Sequence, residues 1–393
     1  MSAPPTIKMT SDERRASVAL AGLFACRMLG LFLLLPVFAV AAQGLPGGDD
    51  PKRVGLALGM YGLTQAFMQI PFGLASDRWG RRPVILAGLA LFIGGSVVCA
   101  LADDVFWITI GRAIQGAGAI SAAITAWLAD ATRPEVRTRA MAMVGGSIGL
   151  SFAVSLVLAP VLVGWGGLGG LFWVIACLGV ASVVVVLTLV PVVPRAAPVG
   201  EPARMREVLL HGDLLRLNFG VFCLHFIQIA LFVVMPALLA RVGSLAPQAL
   251  WQVYLPVILG SFVLMVPIIF AAEKRRAHKQ ALLGAVAGLV VVCALLPWAS
   301  GGFTALALAL TGFFVMFNVL EALQPSLVSR TAPPEFKGLA LGFYNTAQAA
   351  GLFTGGVTGG WLASRGGPDA VFLAAAGVAA AWLAVTWALR KPG

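Results

Sequence analysis

Gly73-Leu74-Ala75-Ser76-Asp77-Arg78-Trp79-Gly80-Arg81-Arg82 sets one carboxylate and three guanidiniums between two long apolar runs, residues 54–76 and 83–102. Each run is long enough to cross about 30 Å of hydrocarbon at about 1.5 Å per residue. A water-soluble core has no place for such a charged turn, whereas two membrane helices need one at the bilayer surface. The ten residues therefore read as a short loop at a membrane face.

Working outward, composition says the same of the whole chain. Of 393 residues 60% are hydrophobic and 11% charged, with a mean hydropathy of +0.94. That balance excludes a soluble domain. The net charge of +11 would point to nucleic acid in a soluble protein. Here the basic residues stand at the ends of apolar spans, where anionic lipid and topology account for them, so no nucleic-acid partner is expected. Cys26, Cys99, Cys177, Cys223 and Cys293 all fall inside apolar stretches without close spacing, which argues against a disulfide framework or a zinc site. Neither a metal nor a cofactor is expected. Arg14 and Arg15 precede an apolar run as in a secretory signal, but that run extends from Ala16 to Ala42 and contains Arg27. It is too long and too interrupted for a cleaved leader and reads as the first spanning helix.

Apolar windows between charged or Gly/Pro-rich breaks predict twelve spans, at 16–42, 54–76, 83–102, 105–129, 140–164, 171–193, 214–240, 250–272, 281–299, 302–328, 338–364 and 370–389. An even number puts both termini on one side. Of the 27 Lys and Arg, only Lys52, Arg53, Arg241 and Arg365 fall on one set of loops; all the rest except Arg27 and Arg112, which lie within spans, fall on the other set and the tails. The positive-inside rule therefore predicts cytoplasmic termini in a multi-pass protein of the bacterial cytoplasmic membrane. Pro134-Glu135-Val136-Arg137 before the fifth span recurs as Pro334-Glu335-Phe336-Lys337 before the eleventh, 200 residues later. The recurrence predicts two six-helix halves, 1–193 and 214–393, joined by a Pro- and Arg-rich cytoplasmic linker at 194–213.

Two repeated halves are an architecture of carriers that rock around a midplane site. The segment Gly73 to Arg82 resembles the signature loop between the second and third helices of the major facilitator superfamily. Arg112-Ala113-Ile114-Gln115-Gly116-Ala117-Gly118 resembles that family's fourth-helix motif. The resemblance implies an all-α membrane protein of twelve transmembrane helices with the major facilitator fold. It also implies a cytoplasmic gate built from Gly73, Asp77, Arg78, Gly80, Arg81 and Arg82, in which Asp77 binds near the start of the eleventh helix and Arg81 pairs with Asp130 at the end of the fourth. Read on residue chemistry alone, Gly73 permits close helix approach and Asp77 offers a carboxylate at a helix end. For Arg82 a purely topological role is the stronger reading. Two positions depart from the family pattern: Ala75 replaces a usual Leu, and the second-half copy is reduced to Glu273-Lys274-Arg275-Arg276, which implies an asymmetric gate. In the fifth span Ser155, Ala159, Pro160, Val163 and Gly164 form a reduced version of the glycine-rich pattern of drug/proton antiporters, equally readable as ordinary helix packing.

Ionisable groups deep in a span are costly and by default functional. Four fit that description: Arg27, Arg112, His225 and Glu321. Thr311, Asn318 and Gln324 share a broad face of the tenth span with Glu321, and Asn218 and Gln228 do the same beside His225 on the seventh. These faces are expected to line a polar cavity, with Tyr61, Gln65, Gln69, Asn345 and Gln348 adding uncharged contacts. Proton coupling needs a group that changes charge as its exposure alternates, and Glu321 is the first choice. For His225 an interhelical hydrogen bond is as good a reading as coupling. Arg27 and Arg112 are read as binding an anionic group or neutralising Glu321, with Arg112 alternatively bridging helices through carbonyls.

Other motifs fail on context. Gly145-Gly146-Ser147-Ile148-Gly149 fits G-x-S-x-G but sits in a membrane helix, not at a strand-to-helix turn. No G-x-x-x-x-G-K-[ST] occurs in the chain, so an ion gradient, not nucleotide, is the expected energy source. The expectation is a monomeric, non-enzymatic carrier exporting a small molecule in exchange for protons. The alternatives are a nutrient symporter or uniporter, or a membrane receptor or assembly protein without transport.

Overall fold

The structure is a computed structural model describing residues 8–191, 208, 210–333 and 336–389, and all regular structure among the described residues is helical. The predicted linker lies mostly outside the described residues, as do Pro334 and Glu335 of the repeated motif.

Among the described residues eight helices are long and apolar enough to cross a membrane. Two of them, Pro134–Thr188 and Lys337–Trp387, are 55 and 51 residues long, and each is a pair of helices joined at a glycine. Gly167 has φ 62° and ψ −163°, and Gly367 has φ 66° and ψ −163°, a left-handed conformation that side chains with a Cβ rarely adopt. The two joints are 200 residues apart, the spacing of the sequence repeat. Adding the more polar Pro51–Trp79 helix and the interrupted pair Val105–Ala117 and Ser121–Asp130 gives twelve crossings among the described residues. In chain order these are Ser11–Phe32 with Phe38–Ala41; Pro51–Trp79; Arg81–Ala100; Val105–Ala117 with Ser121–Asp130; the two parts of Pro134–Thr188; Gly212–Val242; Trp251–Lys274; His278–Ala299; Phe303–Thr331; and the two parts of Lys337–Trp387.

The first span differs from the expected 16–42. It starts at Ser11 because Thr10 caps it: Glu13 N–H donates to the Thr10 hydroxyl at 3.2 Å and the Glu13 carboxylate accepts from Thr10 N–H at 2.8 Å, the reciprocal box that satisfies two otherwise orphaned donors. It breaks after Phe32, in the turn that carries Pro36, since proline supplies no amide donor and clashes with the preceding turn. The fourth span, expected to run unbroken over 105–129, breaks at residues 118–120.

Contacts along the bundle are unequal. The second and eleventh spans meet backbone to backbone over the Pro51 end of the molecule. A Cβ on Gly55 would overlap the Gly356 carbonyl, one on Gly356 the Gly55 carbonyl, and one on Gly360 the Pro51 carbonyl. At the same end the Tyr254 hydroxyl donates to Pro36 O at 3.4 Å. Toward the Asp77 end, Gly338 and Gly342 of the same eleventh helix, and Gly145, Gly146 and Gly149 of the fifth, have nothing within 4 Å of an added Cβ. The second and eleventh spans are therefore in tight contact at the Pro51 end, while at the Asp77 end the glycine faces of the fifth and eleventh spans stand open. The outer faces of the bundle are apolar and bare, with Phe67, Val263, Phe270 and Trp298 among the most exposed side chains, as a lipid-facing surface requires.

Candidate functional site

His225, one of the most enclosed polar side chains, lies in the seventh span. Its Nδ1–H donates to Val221 O at 3.0 Å, one turn back. That bond fixes the neutral tautomer with the lone pair on Nε2, and Gln348 Nε2–H from the eleventh span donates to this lone pair at 2.7 Å. Glu321 of the tenth span brings Oε2 to 3.7 Å from the same nitrogen, beyond hydrogen-bond reach. This buried oxygen has no other partner. Tyr344, one turn before Gln348, has a buried unpaired hydroxyl. Three helices thus converge on one imidazole nitrogen that can accept a proton and one carboxyl group able to hold it, separated by under 1 Å of movement from a hydrogen bond.

A second polar cluster belongs to the first four spans. Arg27 and Arg112 are 2% and 0% exposed, and their guanidiniums stand 5.7 and 4.7 Å from the centroid of one ring, Tyr61. Arg27 Nη1 donates to the Ser121 hydroxyl. Arg112 Nη1 donates to Gln115 Oε1 at 3.0 Å, and Gln115 Nε2 in turn donates to Ser96 Oγ at 2.8 Å. Nε and Nη2 of both arginines, the Tyr61 hydroxyl and Gln65 Oε1 are buried with no partner. Among the described residues no carboxylate comes within the 4.0 Å of an ion pair with either arginine. Glu321 is thus not neutralised by them. Burying an unpaired guanidinium costs several kcal/mol, and cation–π contact with one ring returns only about 2 kcal/mol of it.

In the charged loop, Gly80 takes φ 102° and turns the chain between the second and third spans. Arg81 Nε donates to Asp130 Oδ2 at 2.9 Å, with both side chains largely buried, and Nη1 also reaches Ser76 Oγ at 2.8 Å. The pairing implied for Arg81 and Asp130 is present. Asp77 is 63% exposed and is engaged by Arg81 of its own loop, and among the described residues no hydrogen bond or ion pair joins it to the start of the eleventh helix, where Phe336 and Ala340 are buried and Gly338 and Gly342 have nothing near. Arg82 Nη2 donates to Leu187 O at 2.7 Å, near the end of the sixth span. In the second half Arg330, 200 residues after Asp130, faces Glu273 at 3.7 Å with both side chains exposed. The first pair is buried and hydrogen-bonded, the second long and exposed.

The remaining cavity candidates go elsewhere. Asn318 donates to Ser261 Oγ of the eighth span at 3.0 Å. Gln324 packs beside Gly220 and the Trp382 indole and, like Gln228, has both amide atoms buried and unpaired; Asn218 keeps only its carbonyl so. Sequence reasoning missed Tyr344, Ser121 and the Ser96–Gln115 support. Gln115 lay inside the quoted Arg112-Gly118 stretch, three residues after Arg112, the one spacing that could have flagged it.

Residues 20–353 match the Major Facilitator Superfamily. Over 391 residues the chain is 44% identical to the inner membrane transport protein YajR of Escherichia coli, covering 98% of this chain and 85% of that protein. It is 26% identical over 359 residues to the multidrug resistance protein MdtH of Aeromonas salmonicida, covering 85% of this chain and 84% of that one. The fold resembles the crystal structure of the nucleoside transporter NupG with a TM-score of 0.72 and 13% identity, over 95% of this chain and 99% of that one.

Proposed function

Because the chain belongs to the Major Facilitator Superfamily, we infer that it is a secondary active transporter that exports a small molecule across the cytoplasmic membrane in exchange for protons. The working unit is one chain whose halves, 1–193 and 214–393, rock about the second and eleventh spans. The distribution of Lys and Arg supports cytoplasmic termini, so the open Asp77 end faces the cytoplasm and the packed Pro51 end the periplasm. Similarity to an inner membrane transport protein and to a multidrug resistance protein supports the location and the outward direction.

The observation that carries proton coupling is the convergence of His225, Gln348 and Glu321. A proton arriving at Glu321 removes the charge that makes its burial costly, and the protonated carboxyl can then donate to His225 Nε2 in place of Gln348. Because Gln348 rides on the eleventh helix, exchange of its hydrogen bond for that of Glu321 ties protonation to the position of that helix. Substrate binding and proton release can then oppose one another, as exchange demands.

The test is purified protein in liposomes with an entrapped pH dye. Glu321→Gln is expected to abolish substrate-driven proton movement while leaving substrate binding measurable, and His225→Gln to reduce it by a smaller factor. Normal proton flux in Glu321→Gln would remove that residue from the mechanism.

A further inference from the structure

We propose that Arg27 and Arg112, whose guanidiniums both lie over the Tyr61 ring, form a subsite for an oxyanion, the carboxylate or phosphate of an anionic substrate. The proposal rests on the carrier reading and names its substrate class.

The geometry points to an anion through the edge of each fork left open. Nη1 is the nitrogen in use on both arginines, on Ser121 for one and Gln115 for the other. Nε and Nη2 are left over on both. Those two N–H groups lie side by side and parallel on the guanidinium, the edge that grips a carboxylate or phosphate with two bonds. Two such edges, within 6 Å of one ring, are unpaired on side chains at least 98% buried. An arginine that merely staples helices would spend that edge on backbone carbonyls or a carboxylate, because an unmet buried donor is costly.

The site is also built. The Phe92 carbonyl accepts from Ser96 at 2.6 Å, Ser96 from Gln115 at 2.8 Å, and Gln115 from Arg112 at 3.0 Å. This chain holds Arg112 by its back while its binding edge stays free, the arrangement expected of a preorganised ligand contact. Tyr61 OH and Gln65 Oε1 add a further unpaired donor and acceptor nearby on the second span. Gly62, next to Tyr61, packs on Ala349, next to Gln348. Tyr61 of the arginine cluster and Gln348 of the His225 cluster therefore each adjoin a residue of the contact between the second and eleventh spans.

The experiment uses the full-length protein in detergent and four probes of one shape: benzoate and phenyl phosphate as anions, benzamide as the neutral isostere and benzylamine as the cation. Thermal stabilisation of the wild type should be at least tenfold more sensitive to one or both anions than to benzamide or benzylamine. Arg27→Gln and Arg112→Gln should each weaken anion binding tenfold or more, with Arg27→Lys intermediate because it keeps the charge and loses the fork. Equal response to all four probes, or no response to either anion, overturns the subsite, and this wild-type series decides even if a glutamine variant does not fold. Undiminished anion binding in a folded Arg27→Gln overturns it as well. Liposome flux separates the two readings. Anion binding at the arginines without any flux leaves the subsite standing and sinks the carrier, while flux of cationic or neutral compounds unaffected by Arg27→Gln does the reverse.

Discussion

At the scale of single residues, burial ranks the charges of the Gly73–Arg82 loop. Arg81 and Asp130 are 16% and 9% exposed and hydrogen-bonded, whereas Asp77 is 63% exposed. A buried charge-assisted hydrogen bond contributes about 2 kcal/mol and an exposed ion pair about 0.5 kcal/mol. Asp130→Asn should therefore lower the thermal stability of the detergent-purified protein clearly more than Asp77→Asn, which should sit close to wild type. Equal losses in the two variants would contradict the ranking. The same logic separates His225, whose two ring nitrogens are both partnered, from Glu321, whose Oε2 is not. Satisfied groups hold structure, and unsatisfied ones remain available to respond.

At the scale of helices, the eleventh span divides into two regimes. Its second part meets the backbone of the second span, so Gly356→Ala must push carbonyl and Cα atoms that cannot rotate away. The expected cost is about 1–3 kcal/mol, seen as a lowered midpoint of thermal unfolding together with a wider gap between the second and eleventh spans. Gly342→Ala on the first part of the same helix meets nothing within 4 Å and should be neutral or stabilising by up to about 1 kcal/mol, because alanine is the better helix former. A cost for Gly342→Ala equal to that for Gly356→Ala would mean that the open glycine face is closed in solution.

At the scale of the whole molecule, the proposed alternation reads the unequal ends as one of two states, packed where Gly55 meets Gly356 and open at the glycine faces toward Asp77. The opposite state is expected to bring Asp77 to the start of the eleventh helix, where a carboxylate facing a helix N-terminus contributes about 1–2 kcal/mol when partly buried. Losing it should shift the equilibrium roughly tenfold toward the arrangement described here. Spin labels at the Asp77 ends of the fourth and eleventh spans should show a larger long-distance population in Asp77→Asn than in wild type, with lower turnover and unchanged insertion. An unaltered distance distribution alongside reduced transport would give Asp77 some other role.

The number of crossings, the class of the protein and the presence of four ionisable side chains inside the spans were legible in the chain alone. Transfer of a residue into hydrocarbon is a property of that residue and its neighbours in sequence, and it adds up along a window. The helix breaks at residues 33–37 and 118–120 were less legible, because a window average smooths over a proline or glycine that acts at one position. Apart from Asp130 for Arg81, which the family resemblance implied, the partners were not legible. Gln348 meets His225 across 123 residues and Ser121 meets Arg27 across 94, and nothing local to either residue marks the other. Whether Glu321 is neutralised by an arginine or faces a histidine, and which edge of each guanidinium is left open, depends on several helices arriving at one point. Only the tertiary structure decides that, because hydrogen-bond satisfaction belongs to the assembled site and not to any one segment.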